Sequence, residues 1–520
     1  MADLPELGVG IDVGGTNTDA VVLDGDGRVI AKAKRPTTPD VTGGLRAALD
    51  AVLEELDAGV GRIGRVMLGT THATNAILER RNLGRVAVVR LGAPATTSVP
   101  PLSDWPDDLR EAVSAGEAIV PGGHYVDGRE ISAPGLDEVR RFLDATQADA
   151  VAVTSVFSPA SAEHERLVEE LVRAEYGLPV SASHEIGALG LLERENATVL
   201  NAALYGVAAH VTDALVTALA ERNLTARPYL AQNDGTLMTV EHAARLPVST
   251  IGSGPANSLR GAAYLSGVAD AIVVDVGGTS TDLGVLAGGF PRESAAAVEI
   301  GGVLTNFRMP DILAIALGGG TIVRSGGIGP GSVGYRIVEE ALVFGGGTAT
   351  MTDAAVAAGR TPDEATEWRD RLQKGDMSEE IVDILQRAVA TADEMVIDAV
   401  DRMALGKTDR PLVAVGGGAF MLPDRIPGAS RVIRPEHAEV ANAVGAAIAL
   451  ASGRVDTILP AGDSRSEAIE RAKEEAARRA VAAGADPSGV EIVDLLEVPL
   501  SYLSEPAVRV HVKAAGPLAR

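Results

Sequence analysis

The sequence of 520 residues contains no cysteine, and aromatic side chains make up only 3% of it. The absence of cysteine excludes disulfide bonds, thiolate metal sites and a cysteine nucleophile. Acidic residues outnumber basic ones by 71 to 46, which gives a formal net charge of −25. A surface of this charge repels polyanions, so we expect neither nucleic acid nor an anionic membrane as a partner.

Long hydrophobic runs are also lacking. The longest stretch of small apolar residues, near 441–451, contains Asn442 and is too short to cross a bilayer. The first residues of the sequence have neither the basic region nor the apolar core of a signal peptide. We therefore expect a cytoplasmic protein without a membrane span, long enough for two or three domains.

The most informative feature is an eight-residue motif that occurs twice. Residues 12–19 read DVGGTNTD and residues 275–282 read DVGGTSTD, so the two copies differ only at Asn17 and Ser280. Each copy lies between two short apolar runs, which is the pattern of a β-hairpin with a glycine turn. Backbone N–H groups and hydroxyls in such a turn can bind phosphate. One copy could be no more than a tight hairpin, whereas two indicate a duplicated fold whose paired loops hold a nucleotide polyphosphate from both sides.

The motif assigns roles to its residues. We predict phosphate contacts from the turns of both copies, at Gly14, Gly15, Thr16, Asn17, Gly277, Gly278, Thr279 and Ser280. Asp12 and Asp275 are the predicted catalytic carboxylates and hold Mg²⁺ through water, although a carboxylate in this position can instead cap a turn. Asp19 and Asp282 are expected to brace the loops. ATP and Mg²⁺ are thus the expected cofactors.

The remainder of the chain alternates between apolar strand-like runs and helical segments, which is typical of an α/β fold. We assign residues 1–195 to an N-terminal half with an insertion and residues 196–453 to a second half. Residues 454–520 are expected to form a small C-terminal α+β appendage. A long helix over 196–219 is expected to lie between the halves.

The order of these parts resembles the superfamily of acetate and sugar kinases, heat-shock chaperones and actin. Its members have two ribonuclease-H-like halves with ATP in the cleft between them. The resemblance implies that residues 196–219 and 436–452 are the two connecting helices. It also implies that Gly416, Gly417 and Gly418 approach the adenosine, although three glycines can form an ordinary strand-to-helix turn.

Three longer strings resemble the hydantoinase A/5-oxoprolinase family within this superfamily. Gly69–Arg80 is similar to the family's GTT-x-ATNA-LLER segment, Asn233–Met238 to its SDGGLM segment, and Ser253–Ala256 to its SGPA turn. The resemblance covers nearly the whole chain to about Gly453. The chain lacks the family's RY-x-GQ string, and Leu313 replaces a family histidine. The replacement leaves the identity of the substrate open.

This resemblance implies an ATP-dependent hydrolase that phosphorylates the carbonyl oxygen of a small cyclic amide or imide and so drives ring opening. His72 is the candidate catalytic residue that contacts the substrate, with Asn75, Asn233 and Asp234 as further substrate contacts. A lone histidine is, however, often a structural residue.

Relatives in this family often act beside a hydantoinase B-type subunit, so a homo- or hetero-oligomer with such a partner is expected. Two other functions remain open on the sequence alone. One is an ATP-dependent carboxylase subunit that activates a ketone or bicarbonate, and the other is a non-enzymatic nucleotide switch.

Overall fold

The structure is a computed structural model of the 520-residue chain. It describes residues 6–15, 17–37, 41–56, 61–187, 189–294, 297–362, 365–374, 379–404, 406, 409–448, 450–460, 465–500 and 507–519. Thr16, one of the predicted phosphate contacts, lies outside the described residues.

The helices are α1 Val41–Glu55, α2 His72–Glu79, α3 Asp107–Val113, α4 Leu136–Asp144, α5 Glu163–Glu175, α6 Leu191–Ala203, α7 Tyr205–Glu221, α8 Val240–Arg245, α9 Ser253–Ser266, α10 Ile337–Glu340, α11 Met351–Ala357, α12 Glu367–Lys374, α13 Glu379–Met403, α14 Ala441–Ala447 and α15 Arg465–Ala482. The strands are β1 Leu7–Val13, β2 Asn17–Leu23, β3 Val29–Pro36, β4 Ile63–Thr70, β5 Val86–Ala93, β6 Ser114–Pro121, β7 Ala150–Ser155, β8 Val180–Ala182, β9 Arg227–Ala231, β10 Leu237–Thr239, β11 Ala271–Val276, β12 Thr281–Ala287, β13 Phe290–Pro291, β14 Val298–Ile300, β15 Val303–Thr305, β16 Ile312–Ile315, β17 Thr321–Arg324, β18 Gly327–Ser332, β19 Arg410–Val415, β20 Ala429–Ile433, β21 Leu450–Pro460, β22 Glu491–Leu500 and β23 Ala507–Pro517.

The first half is built on a nine-stranded sheet in the order β22-β23-β21-β10-β9-β4-β1-β2-β3. Strand β1 pairs antiparallel with β2 and parallel with β4, and it is buried almost throughout. Helices α1, α7 and α15 contribute apolar side chains to the core of this half. Continuous apolar runs suit such a strand because both of its faces are covered.

The C-terminal segment differs from the appendage that the sequence analysis expects. Strands β21 and β23 pair along eleven residues and extend the first sheet, with β22 at its edge. Helix α15 packs on this sheet through alanines spaced four residues apart: Ala468, Ala472, Ala476 and Ala480. A Cβ atom at Gly453 would overlap the helix backbone at Ala476 and Ala480. The described residues within 454–519 are therefore an α+β segment, but they belong to the body of the first half.

The second half is built on a six-stranded sheet in which β13-β12-β11-β19-β20 are joined by β16 beside β12. The 25-residue helix α13 covers it with an apolar stripe at three- and four-residue spacing: Leu385, Ala388, Val389, Ala392, Val396, Ala399 and Val400. Strand β11 pairs antiparallel with β12 and parallel with β19. This repeats the arrangement of β1 with β2 and β4.

The expected insertion is a separate parallel sheet in the order β6-β5-β7-β8. Side chains of β5 and β7 alternate between two cores, one shared with α4 and α5 and the other with α6. This explains why both strands are mostly apolar, since each has a packed layer on either side. The exception within β5, Arg90, is buried and pairs with Glu195.

The segment between the halves also differs from the expectation. Helix α7, within the predicted connecting helix 196–219, packs in the first core, and β9 and β10 belong to the first sheet although the sequence analysis places them in the second half. Helices α9 and α14 lie against each other between the two sheets. They approach closely because a Cβ atom at Gly261 would overlap the carbonyl oxygen of Ala441, and one at Gly445 that of Asn257. The first crossing helix is therefore α9, whereas the second, α14, falls within the predicted range 436–452.

Among the described residues, only α6 and α7 taken together, bent by 47° at their junction, have the length and composition of a bilayer-spanning segment, and no single helix does.

Candidate active site

The two copies of the sequence motif form two matching hairpins, which we call the first hairpin (β1–β2) and the second hairpin (β11–β12). In the first, the Gly14 N–H donates to the Asn17 carbonyl oxygen at 3.0 Å, and in the second the Gly277 N–H donates to that of Ser280 at 2.9 Å. Asp12 lies opposite Asp19 in the register, as Asp275 lies opposite Asp282. The duplication seen in the sequence is thus a duplication of backbone geometry.

The carboxylates of the first hairpin are held by amides and one cation. The Asn257 Nδ2 donates to Asp12 Oδ1 at 3.2 Å, and the Asn442 Nδ2 donates to both Asp12 Oδ2 and Asp19 Oδ2, at 3.0 and 2.9 Å. Lys34 Nζ lies 2.6 Å from Asp19 Oδ1. Burial, together with the charges of Asp19 and Asp275, raises the pKa of Asp12 to about 7, although the two amides act in the opposite direction.

The carboxylates of the second hairpin have fewer partners. Burial raises the pKa of Asp275, and the Ser258 hydroxyl and Lys34 offset part of this increase. Burial and the charge of Asp275 raise the pKa of Asp282 to about 7. In the described part of the chain, no hydrogen bond or ion pair reaches the Asp282 carboxylate.

Helix α9 joins the two hairpins through consecutive residues, since Asn257 binds Asp12 and Ser258 acts on Asp275. The mutual electrostatic effects of Asp12, Asp19 and Asp275 also show that the two strand ends lie close together. The hairpins therefore face one polar region at the start of α9, as expected for loops that bind one ligand from two sides.

Glycine loops lie against the same strand ends. Strand β4 ends beside Asp12, and a Cβ atom at Gly69 would overlap Asp12 Oδ1. In the second half, a Cβ atom at Gly416, whose φ is +84°, would overlap Asp275 Oδ1. The Gly418 N–H donates to the Val276 carbonyl oxygen at 2.8 Å, whereas a Cβ atom at Gly417 would meet nothing within 4 Å. The predicted adenosine loop 416–418 thus contacts the second hairpin, and its contact with adenosine stays a prediction.

A further glycine loop packs on the turn of the second hairpin. The Gly319 N–H donates to the Gly277 carbonyl oxygen at 3.0 Å, and the Gly320 N–H to that of Gly278 at 2.7 Å. The first hairpin has a different neighbour, because the Thr37 hydroxyl donates to the Gly14 carbonyl oxygen at 2.8 Å. Gly15, Thr279 and Ser280 are the exposed residues of the two turns, and Gly14, Asn17, Gly277 and Gly278 are half-buried. Their phosphate contacts stay predictions.

A divalent cation fits the chemistry of this region. Asp12 and Asp19 are buried and Asp275 and Asp282 are half-buried. Burial, and then the charge of neighbouring carboxylates, raises the pKa values of Asp12, Asp275 and Asp282, and a cation would oppose this increase. The described residues contain no group of three or more side chains arranged as a complete metal site. Mg²⁺ does not require one, since it keeps several waters and binds one or two carboxylates plus substrate phosphates.

The residues of the GTTHATN segment have different hydrogen-bond partners. The Thr71 hydroxyl, 3.4 Å from the Val13 carbonyl oxygen, lies at the first hairpin, and Asn75 Nδ2 lies 3.5 Å from that hydroxyl. The His72 Nδ1 instead pairs with the Thr70 hydroxyl at 2.5 Å, and burial and the nearby His210 of α7 lower the pKa of His72. Asn75 is thus linked to the hairpin through Thr71, and His72 through Thr70, which pairs with Val13 in the sheet. The roles predicted for His72 and Asn75 stay predictions.

Asn233 and Asp234 are tied into the structure by hydrogen bonds and ion pairs. The Asn233 Oδ1 accepts from the Gly252 N–H at 2.8 Å, so this side chain supports the start of α9. Asp234 is 1% exposed and pairs through Oδ2 with Arg454 at 2.8 Å and Lys513 at 2.9 Å. Although burial acts to raise it, the pKa of Asp234 is held well below its usual range by these two cations. Their predicted substrate contacts stay a prediction.

Leu313, which replaces the family histidine, lies on β16 opposite Leu283 of the second hairpin. Its side chain packs partly buried against the core of the second half. In this chain, residue 313 therefore contributes to the packing of the second half.

Sequence reasoning missed four side chains that hold the carboxylates: Lys34, Asn257, Ser258 and Asn442. The SGPA string was a usable signal for two of them, because Asn257 and Ser258 follow it directly. Asn442 was noticed only as a polar interruption of an apolar run. In the structure it is the amide that joins Asp12 to Asp19.

Comparison with known proteins identifies the family. A family model described as the hydantoinase/oxoprolinase N-terminal region matches residues 8–176, and one described as hydantoinase/oxoprolinase matches residues 194–455. Two solved structures cover nearly the whole chain. The ATP-dependent caprolactamase from Pseudomonas jessenii has a TM-score of 0.77 at 20% identity over 98% of this chain and 88% of that chain. Nucleotide-free acetone carboxylase has a TM-score of 0.68 at 18% identity over 99% and 88%.

Curated relatives include two enzyme subunits. The caprolactamase subunit alpha of Pseudomonas jessenii is 30% identical over 69% of this chain and 55% of that subunit. The acetophenone carboxylase gamma subunit of Aromatoleum aromaticum is 28% identical over 68% of this chain and 53% of that subunit. The chain thus spans little more than half the length of these two relatives. The predicted α/β fold with two ribonuclease-H-like, actin-like ATPase halves is confirmed. The chain belongs to the hydantoinase/oxoprolinase family, whose members are ATP-dependent enzymes.

Proposed function

We propose that this protein uses ATP to phosphorylate the carbonyl oxygen of a small cyclic amide or imide, so that water can open the ring. The observation that carries the proposal is the pair of matching hairpins, whose carboxylates Asp12 and Asp275 are contacted by consecutive residues of α9. The relationship to a caprolactamase subunit supports a cyclic amide as the substrate.

The chemistry requires activation because an amide carbonyl is a poor electrophile. ATP would supply the phosphoryl group that makes the carbonyl carbon electrophilic enough for water to add, and Mg²⁺ would neutralise the phosphates. The ring would open when the C–N bond breaks and the nitrogen takes a proton, and hydrolysis of the resulting acyl phosphate would release phosphate and the carboxylate. The chain supplies positioning and charge rather than a nucleophile, as in other phosphoryl transfers. Gly15, Asn17, Thr279 and Ser280 would contact the phosphates at the two turns, and Asp12 and Asp275 would hold the metal through water.

The first hairpin and its surroundings would also orient the substrate. The Thr71 hydroxyl lies beside Val13 and Asn75 lies beside that hydroxyl, so these polar side chains of the GTTHATN segment could contact an amide next to the phosphate loop. Lys34 is a cation within reach of the carboxylate group, since it pairs with Asp19 and acts on Asp275. These residues would hold the carbonyl oxygen and the phosphates in line.

A second candidate function is activation of a ketone or bicarbonate for carboxylation. It is favoured by the similarity to the acetophenone carboxylase gamma subunit. The same phosphate loops would serve either reaction, since a carbonyl or bicarbonate oxygen is phosphorylated in both. A partner subunit of the hydantoinase B type is proposed for both, because the two curated relatives are themselves named as subunits.

The test is ATP turnover with a substrate panel, measured with the protein alone and with its cognate B-type subunit. Lactams, hydantoins and cyclic imides form one arm, and ketones with bicarbonate form the other. We expect at least one cyclic amide to raise the rate of ADP release and to appear as the ring-opened product, with Asp275→Asn as the inactive control. If only a ketone with bicarbonate stimulates ADP release, the carboxylase function replaces the amide hydrolase. If nothing in either arm does so, both are wrong.

A further inference from the structure

A cavity of about 700 Å³ lies apart from the two hairpins, and no hairpin residue lines it. It opens where three strands end: β7 followed by Ser158, β8 followed by His184, and β9 followed by Gln232. Strand β21, helix α15 and residues 306–308 form its other walls. The region beyond the carboxyl ends of parallel strands is a common place for ligands in α/β proteins, and this volume is within the usual range of ligand pockets.

One histidine at this edge is held in a fixed orientation by a buried carboxylate. Glu165 is fully buried and accepts hydrogen bonds from the Ser155 N–H, the Ser183 hydroxyl and the His184 N–H, at 2.7, 2.5 and 2.8 Å. Its Oε2 also pairs with His184 Nδ1 at 2.7 Å. Because Nδ1 is engaged by Glu165, the other ring nitrogen of His184, Nε2, is left for a ligand in the cavity.

The surroundings of this pair favour a charged imidazole. Burial lowers the pKa of His184, but the hydrogen bond and charge of Glu165 outweigh it and the net shift is upward. Arg194 lies behind the pair and donates through Nε to the Ser183 hydroxyl at 3.0 Å. Glu165 is thus placed between two cationic groups, and Glu185 and Glu169 also act on His184. Among the lining residues, six arginines outnumber five carboxylates: Arg166, Arg173, Arg245, Arg308, Arg454 and Arg479 against Glu169, Glu170, Glu185, Asp456 and Glu475.

A second histidine, His511, also lines the cavity. His511 is 3% exposed, and neither of its ring nitrogens makes a hydrogen bond among the described residues. Its Nδ1 lies 3.6 Å from Asp456 Oδ2, which is beyond hydrogen-bond distance. Its Nε2 lies 3.9 Å from Asp494 Oδ2, so each ring nitrogen faces a carboxylate without a hydrogen bond to it. Buried polar atoms usually have a hydrogen-bond partner, so a polar ligand in the cavity could supply one.

We propose that this cavity binds a small organic carboxylate, whose oxygens accept a hydrogen bond from His184 Nε2. An oriented imidazole backed by a buried glutamate is a charge-assisted donor, and carboxylates are the small organic anions that such donors hold best. The source of the carboxylate rests on the proposed function. Opening a cyclic amide and carboxylating a ketone both end in a carboxylate, so the ligand would be a product of either reaction.

Direct binding measurements on the full chain without nucleotide test the site. Calorimetry with hexanoate, hexanamide and hexylamine compares three ligands of one length that differ in the head group. We expect hexanoate to bind and the other two to bind at least about tenfold more weakly. The His184→Gln variant should weaken hexanoate binding by about tenfold or more. The matched control is His210→Gln, on the exposed surface of α7 outside the cavity, which should bind hexanoate like the unmodified protein.

A second variant tests the same site in case His184→Gln does not fold. Ala160→Trp adds a large side chain at the cavity wall without removing a side-chain hydrogen bond, and it should abolish hexanoate binding while leaving ATP affinity unchanged. Hexanoate binding that survives both variants would overturn the location. Equal binding of hexanamide would overturn the carboxylate preference, and no binding of hexanoate would overturn the site. None of these outcomes depends on the ATP turnover assay, so the proposed function can fail separately.

Discussion

The two hairpins share one turn geometry but hold their carboxylates by different means. In the first half, Asn442 donates to both Asp12 and Asp19, and Lys34 neutralises Asp19. In the second half, Asp275 interacts with Ser258, and Asp282 has no partner among the described residues. The two halves thus share the hairpin backbone, whereas the groups around the carboxylates differ. The carboxylates of the first hairpin are held by groups of the protein, and we expect those of the second to depend more on a bound cation.

The loops beside the hairpins differ in the same way. The parallel strand next to Asp12 ends in Gly69-Thr70-Thr71, which places hydroxyls at the first turn. The parallel strand next to Asp275 ends in three glycines, which place only backbone there. Hydroxyls suit contact with a polar substrate and bare backbone suits a flat nucleoside. The comparison therefore supports the substrate on the side of the first half and adenosine on the side of the second.

The largest expected effect comes from removing either central carboxylate. Asp12→Asn and Asp275→Asn should each lower ATP turnover by about a thousandfold or more, since each loses metal-held charge neutralisation in the transition state. Steady-state ADP release measures this, with circular dichroism to confirm folding. Asp213→Asn, at an exposed position of α7, is the matched control, and this variant should turn over ATP normally. Near-normal turnover in one of the two variants would show that the hairpins are not equivalent and that its carboxylate only caps a turn.

The next largest effect is expected on stability, from replacing the glycine that packs closely on each carboxylate. Gly69→Ala and Gly416→Ala should each lower the free energy of unfolding by about 2–4 kcal/mol, because the new Cβ atom overlaps Asp12 or Asp275. Gly416→Ala should cost more, since its φ of +84° also disfavours a side chain. Gly417→Ala is the neighbouring control, with open space at its Cβ, and should fold normally. Urea unfolding measures all three, and a stable Gly416→Ala protein would contradict the contact with Asp275.

A smaller effect separates the two contacts made by α9. Asn257→Ala should weaken MgATP binding by about tenfold, because Asp12 loses a buried amide donor and its pKa rises further. Ser258→Ala should weaken binding only two- to threefold, about 0.5 kcal/mol, because the second hairpin depends on the cation. Ser266→Ala, at the other end of the helix, is the control. If Ser258→Ala proves the more damaging variant, the proposed difference between the halves is reversed.

The sequence predicts the parts of the site that are specified by residues adjacent in the chain. It does not predict the elements whose place depends on tertiary packing. The DVGGT motif predicts both hairpins because the turn is specified by residues adjacent in the chain. The crossing helix could not be assigned in this way, since α7 and α9 are both rich in small residues and only tertiary contacts show that α9 meets α14 through Gly261 and Gly445.

The same limit applies to the C-terminal strands and to the side chains around the carboxylates. Strand β21 joins the first sheet by pairing with β10. The composition of 454–520 does not indicate this pairing, because it depends on a strand more than 200 residues earlier in the chain. Asn442 lies 430 residues from Asp12 in the chain, so no local spacing could connect the two.

The smallest expected effect concerns the unpartnered carboxylate of the second hairpin. Because burial and Asp275 raise the pKa of Asp282 to about 7, the folded protein binds that proton more tightly than the unfolded chain does. The contribution to stability is therefore lost as the pH rises from about 4 to about 7, and above pH 7 the buried charge is fully unfavourable. Asp282→Asn should raise the free energy of unfolding at pH 8 by about 1 kcal/mol after solvent screening, and should change it little at pH 4.

The equivalent change in the first hairpin should have the opposite sign. Asp19→Asn removes the ion pair with Lys34 and weakens the hydrogen bond from Asn442, so it should destabilise the protein at pH 8. Urea unfolding at both pH values, without metal or nucleotide, measures the pair of variants. Adding MgATP should reverse the benefit of Asp282→Asn if the cation compensates this carboxylate in the native enzyme. Equal destabilisation by both variants would show that the two hairpins hold their outer carboxylates alike, because a gain at Asp282 requires that its charge be uncompensated in the absence of ligand.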